Sequence, residues 1–219
     1  MQNNGTKKKL KEAMATSETI RMFKWDWMER LSHVHPATPF VIYIPVVVVT
    51  MYFAFLTPNT TIALTLAYFL LGMLFWTLIE YILHRFLFHI PQTNKVFKAI
   101  YFYSHGIHHD APNDATRLVM PPSASVPLAI LFFYAFKAWT GTYYLTLFAG
   151  FLTAYMIYDF IHFATHFINF KATWFRKVKE NHMRHHFLSS KHNFGLSSPL
   201  WDYVFFTLFR GKKSIEEKS

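Results

Sequence analysis

Apolar and polar positions fall along this chain in long blocks. Residues 40–56 form a first apolar run, broken by Pro45 and short for a hydrocarbon core of about 30 Å. Thr57-Pro58-Asn59-Thr60 reads as a tight turn into a second run, residues 61–83. After a polar stretch the pattern returns as residues 126–140, a turn containing Gly141, and residues 143–161. The third run is short and holds Lys137, whose long stem can carry its charge to the far interface. The pattern predicts an all-α polytopic membrane protein: two transmembrane hairpins, four helices, with the polar segments forming a helical cap at one end. Ahead of the first run, Ile20, Phe23, Trp27, Met28 and Leu31 recur at helical spacing among Arg21, Lys24 and Arg30. This predicts an amphipathic helix within residues 17–39, anchored in the membrane interface by Trp25 and Trp27, or else packed on the rest of the domain. Residues 1–16 read as a disordered basic tail and 211–219 as a polar tail, leaving 40–210 as the membrane domain.

Composition agrees with lipid contact. Hydrophobic residues make up 53% and charged residues 16%, with 25 Phe, too apolar for an ordinary soluble domain. Cysteine is absent, which excludes disulfides, thiolate metal sites and Cys nucleophiles, so a metal must take N and O ligands. The net charge of +10 is unevenly placed: 7 Lys and Arg lie in residues 1–39, 4 in 84–122 and 10 in 162–219, and neither tight turn carries any. By the positive-inside rule this puts both termini and all three polar segments on the cytoplasmic side. A nucleic-acid domain sets its cations among polar surface elements, not between apolar runs, so no nucleic-acid partner is expected. No apolar core follows Lys7-Lys8-Lys9, so no cleavable signal peptide is expected.

The candidate chemistry lies in histidine. Ten of the 13 fall in four clusters: His84 and His89, His105, His108 and His109, His162 and His166, and His182, His185 and His186. The first and third follow the second and fourth apolar runs, so all four clusters gather on one side of the membrane. From His84 to His105 is 21 residues, and from His162 to His182 is 20, so the layout repeats. Two such half-sites facing each other would build a dinuclear metal centre. His-x-x-His-His places three imidazoles within an arc of about 100° on a helix, which can give two nitrogens to one ion and the third to its neighbour. His162 and His166 share a helix face. His84 and His89 do not, so a helix end is expected between them, with Ile90-Pro91 as the stop. Glu80 and Asp159 sit one turn before the first histidine of each pair, inside apolar runs, where a carboxylate is costly. Their expected role is to accept the N–H of a ligand imidazole and fix its orientation; a polar contact between spans is the alternative. Asn181 and Asp202 are further candidates for such support. His33 and His35 fit no cluster, and His192 reads as a loop residue.

An all-imidazole pair of sites with open positions can bind iron and activate O2; zinc or copper binds more tightly on affinity alone, so zinc can substitute. A substrate that reaches the site through lipid is itself a lipid, and its unactivated C–H bonds require an oxidising metal. Two rivals are a metal transporter, which places its ligands near the bilayer midplane, and a hydrolytic zinc enzyme, for which no His-Glu-x-x-His is present.

The run from His105-Gly106-Ile107-His108-His109 through Pro112, Asp114, Arg117-Leu118-Val119 and Pro121-Pro122 resembles the fatty acid hydroxylase/sterol desaturase superfamily, and most of all its fatty acid 2-hydroxylases. A second match is His185-His186-Phe187 with Phe194-Gly195-Leu196-Ser197 and Leu200-Trp201-Asp202-Tyr203; together they span roughly residues 70–209. The resemblance implies a membrane di-iron oxygenase that hydroxylates an acyl chain at carbon 2, in a fatty acid or an N-acyl lipid. It also implies that the ten clustered histidines hold two iron ions. O2 is the oxidant and electrons come from a separate donor, a cytochrome b5-like protein or a ferredoxin. Sterol, carotenoid and aminolipid enzymes share the histidine pattern. Arg117 is a candidate for a lipid headgroup, or for closing the cap through Asp114. Eukaryotic members often carry a fused cytochrome b5 domain with a His-Pro-Gly-Gly signature, whereas His35-Pro36 is followed here by Ala37-Thr38. That departure favours the bacterial inner membrane over the endoplasmic reticulum.

Overall fold

A computed structural model describes residues 19–209, so the two expected tails and the start of the interfacial segment lie outside the described residues. Within them every regular element is helical: α1 (Asp26–Ser32), α2 (Thr38–Leu56), α3 (Ile62–Ile82), α4 (Lys95–Tyr101), α5 (Ile107–Asp110), α6 (Pro122–Trp139), α7 (Tyr144–Phe167), α8 (Thr173–Phe187) and α9 (Leu200–Val204), with short π and 3₁₀ segments between. Four of these helical stretches are long and apolar enough to cross a membrane. The chain is an integral membrane protein.

Local chemistry accounts for the boundaries. Pro39 sits in the first turn of α2, where a missing N–H costs nothing, and Pro45 is carried inside the helix. Asn59 takes a left-handed φ of 62° in the turn between α2 and α3, a conformation Asn tolerates. Thr61 then caps α3 by accepting the Leu64 N–H at 3.3 Å. The third span starts at Pro122, four residues earlier than the apolar pattern predicts, because its first turn carries Ser123 and Ser125. Ser125 is buried and accepts a hydrogen bond from the Tyr43 hydroxyl at 3.0 Å, so polarity there marks a contact between spans, not a loop. α7 runs six residues past its predicted end and carries His162 and His166 inside the helix.

α7 is the hub. In its span 72% of residues are buried, against 17–22% in the other three, because α2, α3 and α6 all pack on it. The outer spans present Val48, Phe53, Leu66, Leu70, Leu131 and Tyr134 outward, where lipid lies. Gly72 of α3 and Gly150 of α7 make the closest approach. A Cβ on Gly72 would overlap the Leu147 carbonyl, and one on Gly150 would overlap the Phe69 carbonyl. Small residues at such a crossing let two backbones touch, which is how membrane helices gain packing energy without a hydrophobic driving force.

The interfacial helix is shorter than its pattern predicts. Glu29 accepts the Met22 and Phe23 N–H groups at 2.9 and 2.7 Å, which holds residues before α1 extended and restricts the helix to Asp26–Ser32. None of its residues is buried, and Trp25 and Trp27 are exposed.

Replacing Gly150 with Val should wedge α3 from α7 and cost on the order of 3 kcal/mol, since neither backbone can retreat. Thermal unfolding of the purified protein checks this; an unchanged midpoint would mean the helices have room to part.

Candidate metal centre

Four stretches deliver the clustered histidines to one end of the spans. The spacing of His84 and His89 predicts a helix end between them. The structure instead continues α3 as a π-helix, Leu83–Phe88, closed by the His89 N–H on the His84 carbonyl at 3.1 Å. An i→i+5 repeat brings residues five apart under one another, so the wide turn and not a break aligns this pair. A second π segment, Phe102–Gly106, delivers His105, and α5 carries His108 and His109. α7 supplies His162 and His166, and α8 supplies His182, His185 and His186.

These ten rings form two groups. His84, His89, His105, His109 and His185 make one; His108, His162, His166, His182 and His186 make the other; within each, the candidate ligand atoms all lie within 4.8 Å of one another. The groups adjoin, with the His109 and His186 rings stacked at 4.2 Å between centroids. Each His-x-x-His-His motif is split. Its first and last members join one group and its middle member joins the other, as residues i+3 and i+4 fan to either side of residue i.

Main-chain carbonyls orient the rings. Nδ1 of His84 donates to Phe194 O at 2.6 Å, Nδ1 of His185 to His192 O at 2.7 Å, and Nδ1 of His162 to Leu118 O at 2.9 Å. With the proton fixed on Nδ1, each Nε2 carries a lone pair facing the interior of its group. The sequence assigns this task to Glu80 and Asp159, and there the structure differs. Glu80 is buried, but it binds the loop before α9. Its Oε1 accepts the Leu196 and Ser197 N–H groups at 2.6 and 2.9 Å, and its Oε2 accepts the Ser197 hydroxyl. Asp202 holds the same loop, taking the Phe194 and Gly195 N–H groups at 2.9 and 2.8 Å. Two carboxylates thus pin the loop whose carbonyls aim His84 and His185. Asp159 is 1% exposed and lies against the Tyr155 hydroxyl and the Met120 N–H, with no hydrogen bond to an imidazole. The signal missed in the sequence is that a loop rich in backbone N–H groups, residues 193–197, competes better for a carboxylate than an imidazole one turn away.

Burial keeps the rings uncharged. Desolvation, reinforced by neighbouring imidazoles, drives the pKa of His105, His108, His182 and His186 well below 6.5. Desolvation likewise lowers His89 to about 3, His109 to about 2 and His185 to about 4. Neutral rings with lone pairs turned inward are a poor arrangement unless a cation sits among them. His162 Nε2 faces His108 Nε2 at 2.9 Å, and His185 Nε2 faces His89 Nε2 at 2.8 Å. Nε2 of His84, His105 and His109 is buried without a hydrogen-bond partner. The residues therefore fit metal ions: nitrogen donors in the neutral state, two clusters, no thiolate.

A cavity of about 540 Å³ opens beside the second group. It runs from His105, His108 and His162 past Asp159 and Tyr158 to Arg117. Apolar walls with a few polar groups at one end are the usual make-up of a small-molecule site. Arg117 is 3% exposed; its Nη2 reaches Glu29 at 2.5 Å and its Nε reaches Asp114 at 3.2 Å, so the predicted contact with Asp114 is present, together with a partner in α1. His33 does join a network, bonding Thr116 at 2.6 Å and Arg117 at 3.1 Å, while His35 stays on its own turn. His192 contributes only its carbonyl, and Asn181 only its carbonyl to the Asn193 side chain.

Comparison with known proteins adds a family likeness. Residues 69–207 match the family described as fatty acid hydroxylase. The chain is 44% identical over 145 residues to a fatty acid 2-hydroxylase of Mus musculus, covering 64% of this chain and 39% of that protein. It is 35% identical over 199 residues to a dihydroceramide fatty acyl 2-hydroxylase of Arabidopsis thaliana, covering 90% of this chain and 83% of that protein. A solved structure described as full-length scs7p, with only its hydroxylase domain visible, superposes with a TM-score of 0.78 at 36% identity. That match covers 85% of this chain and 71% of the other. The chain thus spans well under half the length of its mammalian relative from Mus musculus and most of the plant one.

Two measurements test this geometry. Adjacent residues serve different groups, so His108→Ala and His109→Ala should each lower bound metal from two ions per chain toward one, and the double variant toward none, by elemental analysis. Both singles retaining two ions would dissolve the grouping. For the metal-stripped protein, each ring held neutral costs about 2 kcal/mol at pH 5, because the unfolded imidazole takes a proton that the folded one refuses. Its Tm should fall as pH drops from about 7 to about 5, and a flat or rising Tm would contradict neutral burial.

Proposed function

Because the chain belongs to the fatty acid hydroxylase family, we propose that it is a membrane oxygenase that hydroxylates a lipid acyl chain at carbon 2. The observation that carries the reading is the pair of buried five-imidazole groups beside an apolar cavity. In this reading His84, His89, His105, His109 and His185 hold one iron ion, and His108, His162, His166, His182 and His186 hold the other. When bound, the two ions supply the redox capacity to reduce O2 and oxidise an unactivated C–H bond. The overall change consumes one O2, two electrons and two protons, and yields an alcohol and one water. Zinc would occupy the same nitrogens without that capacity.

The remaining tasks fall to the protein's own side chains. Glu80 and Asp202 hold the 193–197 loop so that His84 and His185 keep their lone pairs inward. Asp159 supplies a carboxyl group on the wall shared with His162 and His108. Apolar walls exclude water from the reacting carbon, and Nη1 of Arg117, buried and without a partner, offers a hydrogen bond to an oxygen of the lipid's polar end. The histidines gather at one end of the spans, near headgroup depth, where the carbon next to an acyl carbonyl also lies. Relatives named for fatty acid and for dihydroceramide fatty acyl 2-hydroxylation support this substrate class. Electrons come from a separate donor. Lys98, Lys171, Arg176, Lys177 and Lys191 are exposed, and an acidic carrier such as a cytochrome b5-like protein or a ferredoxin would be steered there. The distribution of basic segments supports a cytoplasmic location for this face.

Expression followed by lipid mass spectrometry tests the reading. A gain of one oxygen, assigned to carbon 2 by fragmentation and dependent on iron and O2, is expected; unaltered lipids with metal retained would remove the oxygenase assignment. Arg117→Ala should raise KM or alter substrate choice while metal content stays at two ions, and loss of metal would make that residue purely structural.

A further inference from the structure

The cavity beside the histidines has one wall of a different kind. Met22, Phe23, Trp27, Met28 and Leu31 line it from the N-terminal side. Yet no residue of α1 is buried, and Trp27 and Leu31 are 65% and 69% exposed. The segment also lies outside residues 69–207, the part matched by the family. A wall that encloses a cavity without being packed into a core must be held by other means. Here the means are polar, and most end on one turn. Arg117 binds Glu29 at 2.5 Å, Thr116 binds His33 at 2.6 Å and accepts the Val34 N–H at 2.8 Å, and Asp114 accepts from Thr19 at 2.5 Å. One apolar contact joins them, Phe23 stacked on Tyr103 at 5.2 Å.

We propose that residues 22–32 form a latched cover over the lipid site, which a lipid displaces on entry from the membrane interface and whose inner side chains select among acyl substrates. The proposal rests on the oxygenase reading for what is selected, not for whether the cover moves. Trp25, largely exposed and outside the cavity lining, keeps the segment in the interface, so the cover lifts into lipid headgroups and not into water. The latch is a guanidinium with two carboxylates on one side and an unpartnered Nη1 on the other. Opening separates Arg117 from Glu29. A lipid oxygen bound to Nη1 leaves the Nη2 contact intact, so an occupied cavity holds the cover shut. The occupied and empty states therefore differ in the segment's local stability, which amide exchange reads directly.

The test uses the full chain, loaded with metal, in phospholipid nanodiscs. The probes are a long saturated N-acyl amide lipid and the matching free fatty acid. Amides of Asp26–Ser32 should exchange at least about tenfold more slowly when a probe is added, and about tenfold faster in Glu29→Gln, with bound metal and exchange in α8 unchanged. Trp27→Ala and Leu31→Ala should shift the ratio of products from the two probes several-fold at constant metal content. Exchange in α1 indifferent to both probe and Glu29→Gln, or product ratios identical in all variants, would overturn the cover. If no variant and not even the unaltered chain oxidises either probe, the oxygenase reading fails alone, and the exchange arm still decides whether lipid closes the cover.

Discussion

Everything in this molecule answers to one constraint: ten imidazoles must be packed together, largely out of water, in two adjoining groups. Unaided, that arrangement is unfavourable. It forgoes hydration and leaves Nε2 of His162 and of His185 with only another imidazole nitrogen as partner, at 2.9 and 2.8 Å. For three of the rings the fold meets the constraint by giving the outer nitrogen a definite partner. Carbonyls of Leu118, His192 and Phe194 take the Nδ1 protons, and the loop that presents two of those carbonyls is tied at four backbone N–H groups by Glu80 and Asp202. The metal chemistry proposed for the site is the complement of that preparation. Burial disfavours protonation of the rings outside the spans, and carbonyls choose the tautomer of His84, His162 and His185.

The membrane helices serve the same end. α7 carries two of the clustered rings and is wrapped on three sides, so its position is fixed by packing along nearly its whole length. The contact of Gly72 and Gly150 lets α3 lie against it closely, and His84 and His162, on these separate spans, enter the two adjoining groups. The two π segments then correct the phase. In a helix of uniform pitch His84 and His89 would diverge; the wider turn lets both join one group.

Much of this was legible from the residues alone. Block hydropathy marked the four spans, and the absence of Lys and Arg from both tight turns marked the hairpins. The clustering of histidine at the ends of apolar runs singled out the ten rings that the fold brings together, and His-x-x-His-His carried within it the division between two groups. Four things were not legible, each for a physical reason. The third span starts early because Ser125 satisfies Tyr43 across helices, and hydropathy counts a satisfied hydroxyl as solvent-facing. The alignment of His84 with His89 depends on a π turn, which no period of 3.6 can foresee. The tasks of Glu80 and Asp159 depend on what each meets in space: one finds a loop of free N–H groups, and the other finds a cavity wall. The reach of α1 over that cavity was equally hidden, since Glu29 and Arg117 are far apart in the chain and their pairing has no local signature.

The crossed allocation of ligands also bears on how the protein is made. The first half contributes His84, His89, His105 and His109 to one group but only His108 to the other, and the second half contributes four to the latter and His185 to the former. Each half is thus one ligand short of its own set and holds the ligand its counterpart lacks. On the ribosome, neither group can be finished until α8 has emerged. Once α8 docks, both groups gain their last members in a single event.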